Sequence, residues 1–338
     1  MDEIERDLPE LALPADGDPK KARRDFSRLS FALLVFLVAA SLLQVLYSIL
    51  GSRVSFPQGS WFYWVVGYIV PIYAVGVPLA LLVMRRVPAV RAERRSLSLG
   101  SFLVFLLMCF PIMYGGNLIG TILSSMFSGG AAQNPLEGMV SKPGVLQIVV
   151  LAVLAPLFEE FIFRRQLIDR AGRYGEKTAI LFSSLTFGLF HGNLYQFFYA
   201  FGLGMLFAYI YTRTRKLRYT VALHMIINFL GSVVGPWIVS KAALSSEMLE
   251  AAAQDPASAD LGGMALVSLY GFAILGLSIA GLVLLIRRRR RFVFQRAEEE
   301  LPNGSGPRAA IFNLGFLLFA LTCLAVFVFA LFGRGLLG

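Results

Sequence analysis

Two histidines and a pair of glutamates lie within apolar stretches of this chain. Glu159 and Glu160 are adjacent in the segment APLFEEFIFRR, residues 155–165, while His191 and His224, the only histidines, lie in FGLFHGN and ALHMIIN. Ionisable groups are costly in an apolar environment, and inside a membrane they generally mark a functional site. These side chains are therefore the first candidates for chemistry.

Helical spacing gives the two carboxylates different roles. Residues four apart share one face of a helix, whereas adjacent residues point about 100° apart. Glu160 is therefore expected to pair with Arg164 and to act as a supporting residue. Glu159 is left as the candidate general base. His224 and Asn228 are also four apart, so both should project from one helix toward a common point.

Two further residues are expected to shape the pocket. Pro156 cannot donate a backbone hydrogen bond to the carbonyl of Ala152, so it should kink its helix and open room for water near the carboxylates. Phe187 precedes His191 by four residues and therefore shares its face. Its ring could form one wall of the site.

Two divisions of labour fit these residues. Hydrolysis of a peptide bond needs an activated water, a base and donors for the oxyanion. Glu159 with His191 could hold and deprotonate the water, while His224 with Asn228 could donate to the oxyanion. Alternatively, Glu159, His191 and His224 could be the ligands of a catalytic zinc or similar divalent metal. The chain has no compact zinc motif such as HExxH, which favours the metal-free division.

The composition is that of a polytopic membrane protein. Hydrophobic residues make up 57% of the chain and charged residues 15%, with a mean hydropathy of +0.69; soluble proteins have about 45–50% and about 25%. Apolar runs of roughly 20 residues recur along the chain. An all-α membrane helix bundle of eight to nine spans follows, because open sheets do not survive in lipid. Any protein or peptide substrate is therefore expected to bind at the membrane, and no nucleic acid partner is expected.

The net charge of +10 comes from basic clusters that occupy every second connection between the apolar runs. This pattern predicts a multi-pass protein of the cell membrane with a cytoplasmic N-terminus, surrounded by membrane lipid. Gly116 and Gly120 fit a small-xxx-small helix contact with a packing role, and residues 297–309 are expected to be a linker. The predicted spans are 31–50, 61–84, 101–127, 146–163, 178–192, 195–211, 219–240, 264–286 and 310–333.

The depths of the candidate residues add a constraint on the fourth span. If that span ended near Phe163, Glu159 would lie about 6 Å from the edge of the membrane, whereas His191 would lie roughly 20 Å beyond residue 178. The two would then not meet. We therefore predict that the fourth helix continues to about residue 171.

The segments EEFIFR (159–164), FGLFH (187–191) and HMIIN (224–228) resemble, in order and spacing, the three motifs of the CPBP family of intramembrane endopeptidases. The family includes the CAAX prenyl proteases and bacteriocin-processing relatives. The resemblance covers about 145–240 and implies a four-helix catalytic core. It implies that Glu159 is the catalytic carboxylate and His191 its water-binding partner. His224 and Asn228 would form the oxyanion pair.

The domain organisation expected from these observations has five parts. They are a cytoplasmic tail (1–30), N-terminal transmembrane helices (31–144), the CPBP-like catalytic core (145–240), an extracytoplasmic loop (241–263) and C-terminal transmembrane helices with a basic loop (264–338).

The function expected from the sequence is that of an intramembrane endopeptidase. It would cut a membrane-proximal protein or peptide with water activated by glutamate and histidine. A catalytically inactive membrane scaffold, or an immunity or regulatory protein of the same fold, is the main alternative. A transporter that uses the carboxylates as a proton relay is a third hypothesis, disfavoured because the sequence shows no paired discontinuous repeats.

Overall fold

The described part of the chain is a bundle of membrane-length helices. The computed structural model describes residues 17–54, 61–90, 93–132, 134, 144–241 and 261–336. Within these ranges there is no strand, and eight helices are long and apolar enough to cross a membrane. The prediction of an all-α polytopic bundle is therefore confirmed. Most of the expected extracytoplasmic loop at 241–263 lies outside the described residues.

Ten helices are numbered here in chain order. They are α1 (Pro19–Arg53), α2 (Trp61–Met84), α3 (Leu99–Ser128), α4 (Val145–Tyr174), α5 (Glu176–Phe190), α6 (Leu194–Thr214), α7 (Leu217–Ser240), α8 (Leu261–Arg288), α9 (Gly306–Ile311) and α10 (Leu314–Leu336).

Helix α1 begins earlier than the sequence predicted. It starts at Pro19, so the second half of the expected tail at 1–30 is helical. Phe26 is fully buried there, and the buried Asp25 carboxylate accepts a 2.7 Å hydrogen bond from the Tyr174 hydroxyl. Apolar residues recur every three or four positions in this region among basic ones, which makes an amphipathic helix. The length of an uninterrupted apolar run identifies only its later, lipid-crossing part.

Helix α4 is continuous from Val145 to Tyr174, as the depth argument predicted. It contains two π-helical segments, Val150–Leu154 and Glu160–Gln166, which lie on either side of the turn that carries Pro156. Such π segments are common at functional sites because they shift the faces of a helix locally. Helix α4 thus carries its carboxylates well inside the span.

Helices α5 and α6 form a hairpin that returns the chain across the bundle. Helix α5 has 15 residues and is therefore about 22 Å long at 1.5 Å per residue. At the turn, Asn193 caps α6 by accepting a 3.0 Å hydrogen bond from the backbone N–H of Gln196. The Tyr195 hydroxyl donates to the carbonyl of Ala132, just beyond the end of α3. The hairpin tip, which includes His191, therefore reaches toward that end of α3.

Close packing of α3 against α6 depends on two glycines. A Cβ atom at Gly116 would lie 2.6 Å from the Cα atom of Tyr199, and one at Gly120 would lie 2.3 Å from the carbonyl oxygen of Leu194. No side chain fits at either position. The packing role predicted for this glycine pair is confirmed.

The segment from 292 to 301 crosses one end of the bundle and is not a free linker. The backbone N–H of Gln295 donates to the carboxylate of Glu176, which also pairs with Arg213. Glu299 forms a 2.7 Å ion pair with Lys21. Leu301 is buried, and a short helix, α9, follows. The expected linker at 297–309 is thus structured in its described parts, because Glu299 meets basic residues of α1 and α4.

The bundle has one end with a high density of basic side chains, here called the basic end. It is formed by the start of α1 and the ends of α2, α4, α6 and α8, which contribute Lys21, Arg86, Arg173, Arg213 and Arg288. The positive-inside rule predicts that this end faces the cytoplasm.

We expect cysteine labelling to confirm this orientation. In a background with Cys109 and Cys323 changed to Ala, Arg290→Cys at the basic end should resist a membrane-impermeant maleimide in intact cells. Ser52→Cys at the opposite end should react, because both positions are exposed but on opposite sides of the bundle. Labelling at the Arg290→Cys position alone would show the opposite orientation.

Candidate functional site

A buried carboxylate links α4 to α7. The side chain of Glu160 has no solvent exposure, and its Oε1 atom lies 3.0 Å from Nδ1 of His224. Its Oε2 atom lies 3.1 Å from Nε of Arg164, one turn along the same helix. The pair of Glu160 with Arg164 confirms the helical spacing argument. A carboxylate only accepts hydrogen bonds, so Nδ1 of His224 carries the hydrogen in this contact.

The guanidinium of Arg164 is enclosed by α4, α5 and α6. It donates through Nη1 to the hydroxyl of Ser183 at 3.3 Å, and that hydroxyl donates at 2.6 Å to the carbonyl of Phe163. The guanidinium carbon lies 4.6 Å from the ring centre of Phe187 and 5.9 Å from that of Phe207. Aromatic faces stabilise a buried cation electrostatically. The positive charge is therefore held inside the bundle rather than at its surface.

Glu159 lies on the other side of His224 and remains accessible. Its Oε2 atom is 3.6 Å from Nε2 of His224, and 28% of its side chain is exposed, compared with none of Glu160. The ring of the preceding residue, Phe158, stacks on Tyr73 of α2 with ring centres 4.5 Å apart. The adjacent glutamates thus face different surroundings, as the sequence predicted, and Glu159 is the one that can meet a water or a substrate.

His191 is held in one orientation at the end of α5. Its Nδ1 atom lies 2.8 Å from the carbonyl oxygen of Phe187. A carbonyl can only accept, so Nδ1 carries the hydrogen and Nε2 has a free lone pair. The Phe187 ring contacts both imidazoles edge to face, with centres 4.8 Å from His191 and 5.9 Å from His224. Phe187 therefore forms the wall predicted for it.

Asn228 has a structural partner that the sequence did not reveal. Its Nδ2 atom donates to the carbonyl of Leu151 at 3.0 Å. In the π-helical segment, the N–H of Ala155 bonds to the carbonyl five residues earlier, at Val150. The next bond in that register would run from Pro156 to Leu151, but proline has no N–H. Asn228 supplies the missing donor.

Most of the predicted site residues come together. The Glu160–Arg164 pair is the predicted one, but Glu159 lies beside His224, which was expected to act with Asn228. His224 contacts both glutamates, and Phe187 connects its imidazole to that of His191. Asn228 lies one turn further along α7. The supporting residues that sequence reasoning missed are Ser183, Phe207 and the carbonyl of Leu151. Of these, only the carbonyl had a signal in the sequence, namely the missing N–H of Pro156.

The site has only part of what a zinc ion requires. Both imidazoles have Nδ1 hydrogen-bonded to an oxygen and Nε2 left for another partner, which is the usual support of metal-ligating histidines. However, within the described residues no three His, Cys, Asp or Glu side chains converge closely enough to hold a metal ion. The donor chemistry suits zinc, but the positions do not form a three-ligand site.

Comparison with known proteins shows a family resemblance over the segment that carries this site. Residues 141–230 match the family model described as "Type II CAAX prenyl endopeptidase Rce1-like". The resemblance to the CPBP family is confirmed over this segment. The matched segment contains all four predicted catalytic residues and both members of the buried ion pair, and it spans α4 to the middle of α7.

The chain is also similar to one curated protein over a longer alignment. The chain is 27% identical over 159 residues to a Bacillus subtilis (strain 168) protein named "Putative membrane peptidase YdiL". The alignment covers 44% of this chain and 64% of the relative, somewhat less than two thirds of its length. No solved structure gives a significant match to the chain.

We expect the buried ion pair to dominate the stability of the helices α4 to α7. Arg164→Ala should lower the free energy of unfolding by about 3–5 kcal/mol, because it leaves the buried Glu160 carboxylate without its cation. Arg165→Ala is the matched control, since this neighbour is exposed. Chemical denaturation in detergent, followed by tryptophan fluorescence, measures both. Equal losses in the two variants would contradict a special role for the buried pair.

Proposed function

We propose that this protein is a CAAX-protease-like intramembrane endopeptidase. It hydrolyses a peptide bond of a membrane-proximal protein or peptide, and it works in the cell membrane. The observation that carries the proposal is the accessible Glu159 carboxylate, 3.6 Å from an imidazole nitrogen of His224. The other ring nitrogen of His224, Nδ1, is held by the carboxylate of Glu160, which has no solvent exposure. An accessible acid beside an oriented imidazole is the arrangement that water-activating hydrolases need.

Glu159 acts as the general base in this proposal. A water about 2.8 Å from both Glu159 Oε2 and His224 Nε2 fits beside the line that joins them, because those atoms are 3.6 Å apart. Glu159 takes a proton from the water as the water oxygen bonds to the carbonyl carbon of the substrate. The same proton then passes to the amine as the C–N bond breaks. The Glu159 carboxylate is thereby regenerated, and the products are an amine and a carboxylic acid that keeps the second hydrogen of the water.

His191 and His224 have different parts in this reaction. Nε2 of His191 has a free lone pair, so it can accept a hydrogen bond from the second O–H of the water and orient the water oxygen. His224 has its Nδ1 hydrogen directed to Glu160, and its Nε2 atom lies 3.6 Å from Oε2 of Glu159. In this proposal Nε2 also carries a hydrogen, which it donates to the oxyanion that forms on the substrate.

Asn228 is the second donor for the oxyanion. Its amide nitrogen has two hydrogens, and one is used by the carbonyl of Leu151. That bond fixes the plane of the amide and leaves the other hydrogen available. Preorganised donors of this kind stabilise a developing charge without reorganising during the reaction. Asn228 is thus both a link between α4 and α7 and a catalytic group.

We expect Glu159→Gln to reduce proteolysis by at least about 100-fold, because the amide cannot accept a proton from water. The measurement compares protein and peptide termini in membranes of cells that express the wild-type chain or the variant. Asp169→Asn is the control, because it also converts a carboxylate into an amide on the same helix, about ten residues away. It should retain activity when the data are normalised to folded protein.

The scaffold alternative makes a different forecast for the same variants. If the protein acts only by binding a partner, Glu159→Gln should leave its cellular effect intact, and no termini should depend on it. Loss of folding in Glu159→Gln, measured by the denaturation assay used for Arg164→Ala, would also contradict the catalytic role. Glu160→Gln provides the reference for a change that acts through stability.

We further expect activity to survive removal of metal ions, because the proposed base and donors are all protein groups. Purified protein treated with a strong chelator and verified by elemental analysis should cleave its substrate at the untreated rate. Loss of activity on chelation, with recovery on addition of zinc, would instead assign Glu159, His191 and His224 as metal ligands.

A further inference from the structure

A cavity on the lipid-facing side of the bundle lies away from the proposed active site. Its volume is about 430 Å³, and it is formed where α1, the end of α2 and the start of α10 meet. Arg28 and Arg86 line it, together with the apolar side chains of Phe31, Leu82 and Leu318. The proposed function uses none of these residues.

The two arginines are available to a ligand. The side chain of Arg28 is 42% exposed and lies 3.8 Å from the carboxylate of Asp25. That carboxylate is itself buried and accepts a shorter, 2.7 Å hydrogen bond from Tyr174. Arg86 is exposed and has no ion pair within the described ranges of the chain. The cavity is thus lined by two guanidinium groups, and the nearby Asp25 carboxylate is already hydrogen-bonded to Tyr174.

A hydroxyl completes the polar part of the cavity. Ser27 lines it, and its Oγ atom accepts a 2.9 Å hydrogen bond from the backbone N–H of Gly315. The hydroxyl hydrogen is donated to no acceptor among the described residues. A Cβ atom at Gly315 would lie 2.0 Å from the carbonyl oxygen of Ser27, so α1 and α10 form a tight floor here. Two guanidinium groups and a hydroxyl are suitable donors for a phosphate.

The apolar part of the cavity points to a lipid rather than a free anion. Phe31 is 46% exposed, Leu82 49% and Leu318 40%, and all three lie on helices that cross the membrane. Arg28 lies where α1 passes from a polar to an apolar stretch, and Arg86 lies two residues after the end of α2, which is the depth of lipid headgroups. An acyl chain can therefore continue along the exposed apolar side chains while its headgroup stays at the arginines.

We propose that this cavity binds one anionic phospholipid. Arg28, Arg86 and Ser27 hold the phosphate, and Phe31, Leu82 and Leu318 contact the acyl chains. The basic end faces the leaflet where anionic lipids attract basic side chains. The bound lipid bridges α1, α2 and α10 at a place where protein contacts leave a gap.

Native mass spectrometry of the purified full chain in detergent tests the proposal. The probes are phosphatidylglycerol and phosphatidylcholine with identical acyl chains. The wild type should bind one phosphatidylglycerol in preference to phosphatidylcholine. Arg28→Gln with Arg86→Gln should weaken phosphatidylglycerol binding by about 25-fold, at about fivefold for each basic side chain. The matched control is Arg23→Gln with Arg85→Gln, which removes the same charge from α1 and the end of α2 outside the cavity, and it should bind normally.

Two further arms keep the test decisive. Leu318→Trp keeps both arginines and fills the apolar part, so it should also lose the lipid, even if the double arginine variant folds poorly. Inorganic phosphate should not displace the bound phosphatidylglycerol at equal concentration. Equal losses in the cavity and control variants, no preference for phosphatidylglycerol, or displacement by phosphate alone would each overturn the proposal. Because the readout is binding, the result is independent of whether the protein is a protease.

Discussion

The structure depends on one carboxylate that is shared between a guanidinium and an imidazole inside an apolar bundle. Glu160 meets Arg164 with one oxygen and His224 with the other, and neither Glu160 nor Arg164 is exposed to solvent. A buried charge without a partner costs several kcal/mol. Helix α7 therefore cannot move away from α4 without leaving Glu160 poorly compensated. The phenyl ring of Phe187 and the hydroxyl of Ser183 extend the same constraint to α5. One electrostatic requirement thus fixes three helices and orients the imidazole beside Glu159.

The backbone of α4 adds a second link of the same kind. The π-helical segment and Pro156 together leave the carbonyl of Leu151 without a donor from its own helix. An unsatisfied carbonyl is costly where no water is available, and membrane proteins satisfy such groups from neighbouring helices. The Asn228 amide does so here. Local irregularity in α4 is thereby converted into a specific contact with α7, on the same face of α7 that carries His224.

Local spacing predicted a large part of this site. The separation of four residues gave the Glu160–Arg164 pair, and it also placed Phe187 against His191. The comparison of depths gave the continuous α4. Contacts between helices were not predictable in this way. That His224 meets Glu160 depends on how α7 is rotated against α4, which no spacing within one helix defines. The acceptor of Asn228 was missed because an α-helical register assigns the missing bond of Pro156 to Ala152, whereas the π register assigns it to Leu151. The start of α1 was missed because its first apolar positions are separated by basic residues.

The segment that crosses the basic end has a consequence for His191. Helix α5 has 15 residues, with Glu176 at its first position and His191 immediately after its last. Glu176 is tied both to Arg213 and to the backbone of Gln295, far along the chain. The height of the imidazole in the membrane is therefore set in part by an anchor at the opposite surface. Residues beyond the matched family segment thus help to fix the reach of a candidate catalytic group, so a shortened chain that keeps every motif would still lose part of what holds that group in place.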